Sequence, residues 1–518
     1  MSPAPNYEVG PQPSPVIRKL FFAISLWLLA CAAAFVALSW HWPMVGNVTY
    51  MHYVVFLMRH GMVPYRDIIE MNLPGSYLIE SAVMSLLGPG SIGWRIYDLL
   101  LLAVASVSMV AILRPHGRAA GIFAAVLFLM IHAQDGVIMT GERDFAVAVF
   151  LLAATALLFF AIRRARTDLA SSIAESLAIF GFGALAGFAI TIKPTVIPVA
   201  LCLFLWALWM LRRRVGPSLS FILITIAGFL LPVAITLVFL TREGATAAFL
   251  AALRGIIPYH ASLAHRPLGF LLLHCVSPIL ALAILWIAAA VFSTRGNAGP
   301  ERIALFLCVA CGLLSFLVQA KGFAYQRYPF IAFLCVLIAA DLTRLARQRD
   351  AIRWLGIGGL ITGTLLCTSC LIRAASFDRR DPARPLLADL QSLGVADRSV
   401  QCMDTGGSCI DDLYAGRIVQ STGLIYDCYL LDGTNPVALS LRQRFWEQIA
   451  RNPPRLVVVT GSACYEVAPN SNKYAKWPEF TAWLDANYTL ARVSGPQPQL
   501  HYWSRRQTPF AYRIYIRR

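Results

Sequence analysis

The sequence is short of charge. Asp, Glu, Lys and Arg make up 14% of its residues, against about 25% in soluble domains, which leaves too little polar surface to keep a chain of this size in water. Acids are the scarcer sign, with 27 Asp and Glu against 44 Lys and Arg. The formal charge of +17 would suit nucleic acid if the cations were gathered on one soluble face, but they are scattered between apolar runs. The cysteines form neither a zinc motif nor a redox site, which excludes a zinc module and a thiol oxidoreductase. No convincing cleavage site closes the first apolar run, so that run is expected to stay as an uncleaved membrane helix.

What the chain has in abundance is hydrocarbon. Its residues are 58% hydrophobic, with a mean hydropathy of +0.64. Apolar runs near the ~20 residues needed to cross a bilayer recur from Leu20 to about Leu371. They predict crossings near 20–40, 96–113, 119–135, 144–162, 173–192, 195–211, 219–240, 268–292, 303–319, 328–341 and 354–371. The expected fold is therefore a polytopic α-helical membrane protein of about eleven transmembrane helices, spanning 1–371 and including an outer loop at 41–95. Residues 372–518 return to a soluble composition and read as an α/β domain. In it Ala438–Ala450 and Phe480–Tyr488 read as helices, and Arg455–Gly461 and Tyr512–Ile516 as strands. Ser76–Leu87 is too short to cross comfortably and ends at Gly88-Pro89-Gly90, so it is expected to lie at the interface.

The scattered cations fix a topology. Arg18-Lys19, Arg163-Arg164, Arg212-Arg213-Arg214, and Arg344 with Arg347 fall on one set of short connections. By the positive-inside tendency these connections and the N-terminus are cytoplasmic, and the tail is extracytoplasmic. Topology accounts for much of the basicity, so nucleic acid is not an expected partner. Cysteines in an extracytoplasmic tail can pair; Cys402, Cys409, Cys428 and Cys464 allow three complete pairings, among them Cys402 with Cys409 across a short loop.

Reactive residues gather on the outer connections. The stretch Asn47 to Pro74 carries Arg59, Arg66, Asp67, Glu70 and Asn72 between two apolar segments. Asp67 and Glu70 are three apart and would share a face if this portion is helical. Either carboxylate suits a general base, whereas Asp67 capping a turn and pairing with Arg66 or Arg59 is the structural alternative. A second cluster, Glu142, Arg143 and Asp144 in TGERDF, is also readable as a helix N-terminus. Lys193-Pro194 interrupts one apolar stretch and suits either a snorkelling lysine or a phosphate contact. Lys321, Tyr325, Gln326 and Arg327 in QAKGFAYQRYP set cations and aromatics at an outer boundary, where they suit a lipid phosphate. His260 and His265, on the long loop Thr241 to Pro267, read as ordinary loop residues.

These pieces, GMVPYRDIIEMNLPG, SIGWRIYDLL, TGERDF, TIKPT, QAKGFAYQRYP and the later NPPRLVVV, resemble the polytopic C-type glycosyltransferases, the superfamily of the protein mannosyltransferases and aminoarabinose transferases. The resemblance implies transfer of a sugar from a polyprenyl-phosphate donor to a lipid, glycan or protein acceptor at the outer face of a bacterial plasma membrane. It implies Asp67, Glu70 and Glu142 as candidate bases. Arg143, Lys193, Lys321 and Arg327 become phosphate contacts, and Asn47, Asn72, Asp144, Tyr325 and Gln326 further substrate-binding residues. It leaves room for a divalent cation, for which the sequence offers no decisive ligand set. Two departures stand out. Asn47 occupies a position where the resemblance calls for an acid, and Asn72-Leu73 replaces a lysine before the Pro-Gly pair. An amide cannot take a proton as a carboxylate does, so Asp67 is expected to take the base role, with Glu70 and Glu142 behind it. A transporter, or an envelope assembly protein without activity, is the alternative.

Overall fold

The computed structural model describes residues 15–167, 173–212, 215–292, 299–348, 351–405, 408–461, 473–497, 501–502 and 510–518. Its membrane part begins with α1 (Pro15–Ser39), the outer-loop helices α2 (Asn47–Arg59) and α3 (Pro74–Leu86), then α4 (Ser91–Ile112), α5 (Arg118–Asp135) and α6 (Arg143–Thr167). It continues with α7 (Ile173–Ile192), α8 (Ile197–Leu211), α9 (Val215–Arg242), the short α10 (Thr246–Arg254) and α11 (Ile256–Ser262), and the pair α12 (Leu268–Val276) and α13 (Leu280–Phe292). The last three are α14 (Pro300–Gln319), α15 (Tyr328–Ala346) and α16 (Arg353–Ala375). Among the described residues 11 spans are long and apolar enough to cross a membrane. Each falls on a predicted crossing. As predicted, α3 is not one of them.

Burial sorts these helices. Only 22% of the apolar window of α1 is buried, but 89% of that of the span ending in α15. From Tyr328 to Ala346 every residue except Arg344 is buried, so α15 is the axis around which α5, α6, α14 and α16 pack. Its sequence has no polar stripe because no side of it faces water. The tightest crossing is made by glycine: a Cβ on Gly183 of α7 would stand 2.2 Å from the Thr225 carbonyl oxygen of α9, and one on Gly228 the same distance from Phe180 O. Without side chains there, the two backbones touch, which is how helices pack where lipid gives no hydrophobic drive.

The tail contains α17 (Pro385–Ser392), α18 (Ser408–Ala415), α19 (Pro436–Arg451) and α20 (Pro478–Asn487). Four strands form its sheet in the order β2 (Val400–Met403), β4 (Leu456–Thr460), β6 (Phe510–Arg517) and β5 (Tyr488–Gln497). β2 and β4 run parallel and the other neighbours antiparallel. The helices and strands predicted here are present, and Cys402 is bonded to Cys409, tying β2 to α18. Cys464 lies outside the described residues.

The tail does not hang free. Two-residue strands β1 (Ile68–Ile69) and β3 (Gly423–Leu424) pair in parallel, linking the first loop to the tail. Tyr53 of α2 donates to Ile418 O and accepts from Gln420 N–H, each at 3.0 Å, while Gln448 donates to Asp67 O at 2.7 Å. One apolar core fills the helical bundle. A second is shared by the first loop, residues of α9 to α11 and the tail.

Candidate active site between the first loop, the bundle and the tail

The first loop separates its two carboxylates. Residues 67–70 are not helical, which corrects the expected shared face: Tyr65 adopts a φ of 64°, the Asp67 and Ile68 N–H groups bond back to Val63 O, and Ile68-Ile69 extends along the tail. Extended backbone throws side chains three apart to opposite faces. Asp67 accepts from Val63 N–H at 2.8 Å and from both arms of Arg66 at 3.1 and 2.9 Å. Burial works against its charge, but those donors win and hold its carboxyl below the usual range. This is the turn-capping geometry weighed above.

Glu70 differs. It is 1% exposed. Its Oε1 accepts from Met71 N–H, Asn72 N–H and Asn72 Nδ2 at 2.7, 3.0 and 2.6 Å. Among the described residues its Oε2 has no hydrogen-bond partner. Asn72 is thus a positioning residue, held in turn by Tyr65 O–H on its carbonyl at 2.6 Å. A buried carboxylate oxygen left without a donor costs free energy, so it points to a ligand or a reaction.

The TGERDF turn supplies the next layer. Asn47, the first residue of α2, donates to Glu142 Oε1 at 3.2 Å. Glu142 accepts from the Arg143 N–H, and its Oε2 lies 3.7 Å from Arg143 Nε. Asp144 is paired with Lys193 from the break between α7 and α8, and Lys193 Nζ lies 6.0 Å from the centre of the Tyr325 ring. Arg143 has Glu142, Tyr325, Asp144 and Glu70 as electrostatic neighbours, which brings the TGERDF turn, the Tyr325 turn and the first loop together.

The fourth contribution comes from the loop read as ordinary. His260 Nε2 lies 2.9 Å from Lys321 Nζ, which also donates to His260 O at 2.6 Å. On its other side His260 Nδ1 meets Tyr429 Oη of the tail at 2.9 Å. Burial, with Lys321, Arg143 and Lys193 nearby, pushes the imidazole down to about 3, so it is neutral and accepts from the lysine while donating to the tyrosine. Burial, reinforced by Lys193, pulls Lys321 down to about 8. Only the long loop's folding into α10 and α11 brings His260 here, and no spacing in the sequence announces it.

Two predicted residues stand apart. Arg327 is buried against Asp135 at 2.5 Å and donates to His274 O at 3.2 Å. Gln326 caps its own turn by accepting from Phe323 N–H at 3.2 Å. The sequence reading also missed a buried pair under the site, Glu80 Oε2 at 2.9 Å from His52 Nδ1. Burial pushes the Glu80 carboxyl up against the pull of His52 and Arg143. Among the described residues no three His, Cys, Asp or Glu side chains are grouped so as to hold a metal ion.

A cavity of about 480 Å³ opens beside Glu70, between the first loop, α10, α11 and α19. A larger one, about 660 Å³, lies far from this chemistry in an apolar groove between α1, α4 and α5.

No family model and no curated sequence matches the chain. Its fold does match solved structures. ArnT from Cupriavidus metallidurans, bound to undecaprenyl phosphate, superposes with a TM-score of 0.58 at 12% identity, over 94% of this chain and 97% of that one. Its apo form gives 0.57 with the same identity and coverage. The Archaeoglobus fulgidus oligosaccharyltransferase tethered to an acceptor peptide with the NVT sequon gives 0.53 at 12% identity, over 94% of this chain and 74% of that one. At such identity the likeness establishes the fold, that of the C-type glycosyltransferases.

Proposed function

We propose that this chain, having the C-type glycosyltransferase fold, transfers a sugar from a polyprenyl-phosphate donor to an acceptor hydroxyl on the tail side of a bacterial plasma membrane. The observation that carries this reading is the gathering of Arg143, Lys193 and Lys321, from three connections, around His260, with the buried carboxylate of Glu70 an electrostatic neighbour of Arg143. The arginine-rich connections at the other end of the bundle support a cytoplasmic N-terminus and an extracytoplasmic tail. Undecaprenyl phosphate in the ArnT structure supports the donor class.

In this reading the acceptor oxygen forms a bond to the sugar's anomeric carbon as the bond from that carbon to the phosphate oxygen breaks. The acceptor's proton passes to Glu70 Oε2, and the released phosphate gains a negative charge. Arg143, Lys193 and Lys321 stabilise that charge. Glu142 and Asp144 hold Arg143 and Lys193, and Asn47 holds Glu142. Asn47 therefore serves by orientation, and the missing acid is replaced from the first loop. Asp67 is assigned to the turn that docks the tail.

The test is transfer and donor binding by purified protein in lipid nanodiscs. Lys193→Met and Lys321→Met are expected to weaken undecaprenyl phosphate binding. Unchanged affinity in both would overturn the donor assignment.

A further inference from the structure

The cavity beside Glu70 has a chemistry of its own. Its walls are small and apolar where α10 contributes Ala248 and Ala251 and the joint to α11 contributes Gly255. Glu70 lies at one side of it, with Oε2 unpartnered among the described residues. Arg444 of α19 lines it too. The Arg444 Nη2 donates to Arg66 O and, at 3.4 Å, to Ile68 O. Its Nε and Nη1 have no hydrogen-bond partner among the described residues. Burial lowers this guanidinium to about 10 despite Asp67 and Glu447 nearby, so its charge is incompletely compensated. Cationic N–H groups of Arg444 and the buried carboxylate of Glu70 thus belong to one cavity wall. Its place matters as well: Leu250 and Leu253 of α10 are exposed apolar side chains, as at a lipid boundary.

We infer that this cavity holds the acceptor, and that the acceptor is a phosphate-bearing headgroup with a free hydroxyl: the phosphate on Arg444, the hydroxyl on Glu70 Oε2. This rests on the transferase reading above and adds the acceptor's class. With Nη2 spent on the two backbone carbonyls, Nε and Nη1 are left to give single charge-assisted hydrogen bonds to phosphate oxygens. A buried carboxylate oxygen takes the hydroxyl donor and, during transfer, its proton. The two recognition groups come from different parts of the chain, the first loop and the tail, so the tail's docking through β1 and β3 completes the site.

The experiment measures binding to the full-length protein without any sugar donor. Phosphatidylglycerol in nanodiscs is the lipid arm, glycerol 1-phosphate the soluble arm, and diacylglycerol the phosphate-free control. Loss of a charged hydrogen bond predicts a drop of about tenfold or more for both phosphate probes in Arg444→Gln. Ala251→Trp, which fills the cavity without altering charge, is expected to cut binding similarly and decides the matter if Arg444→Gln does not fold. Binding by the lipid alone assigns a membrane-anchored acceptor, and binding by both probes assigns the phosphate-polyol chemistry itself. Binding of neither probe, equal binding of diacylglycerol, or wild-type affinity in Ala251→Trp overturns the inference. Undecaprenyl phosphate affinity measured on the same samples separates this result from failure of the donor assignment.

Discussion

The two ends of the helical bundle use charge differently. At the end away from the tail, Arg163 pairs with Glu301 at 2.7 Å, and Arg302 takes both oxygens of Asp341 at 2.8 and 2.9 Å while Trp286 donates to the same carboxylate. These two arginines each have a carboxylate from another helix, and the pairs tie α6 to α14 and α14 to α15. At the tail end Lys193 and Arg143 also face carboxylates, Asp144 and Glu142, but Lys321 is held by a neutral imidazole and a carbonyl, and Glu70 keeps an oxygen unpartnered among the described residues. Closed pairs hold helices together. Groups held by neutral partners remain able to meet an anion or a proton.

Breaking this contrast at its strongest point means removing the proton acceptor. Glu70→Gln keeps an oxygen for the Asn72 donors but cannot take a proton, so transfer should fall about a hundredfold or more with melting little changed. Asp67→Asn, by comparison, should lower thermal stability and reduce transfer only slightly; equal losses of transfer in both variants would erase the distinction between them.

A smaller effect is expected at the cations. Lys321→Met should weaken undecaprenyl phosphate binding by about tenfold, in line with one charged hydrogen bond to phosphate. Titration sharpens this. Lys321 is protonated below about 8, so donor affinity should be full at lower pH and fall as pH rises through that value, with the bound phosphate displacing the midpoint upward. The variant should flatten this profile, and an unaltered profile would remove Lys321 from the phosphate site.

The smallest change in binding is predicted at the opposite end. Asp341→Asn leaves Arg302 and Trp286 without their carboxylate, and should lower the melting temperature while donor affinity stays within about twofold. Docking of the tail is tested by Gly423→Ala. Its Cβ would lie 1.8 Å from Asp67 O, so the β1–β3 contact must part, and limited proteolysis should cut the tail free sooner than in wild type.

Much of the architecture was legible. The eleven crossings, the short α3 outside them and the tail strand Leu456–Thr460 follow from runs of apolar side chains and their stops, because burial in lipid or in a sheet core demands them locally. The TGERDF, Lys193 and Lys321 clusters were visible for the same local reason, as charge interrupting hydrocarbon. The roles within the first loop were not. Asp67 and Glu70 look alike in sequence, and only the strand contact with the tail turns one into a cap and leaves the other with an open oxygen.

The sequence by itself determined where the chain crosses a bilayer and which connections carry charge, since hydrophobic length and polarity are properties of each segment alone. The tertiary structure decided which charges meet. His260 reaches Lys321 and Tyr429 across long separations, Arg444 closes a cavity begun by Glu70, and Arg327 is drawn away to Asp135. Such encounters depend on how helices and tail pack together, and no single segment carries that information.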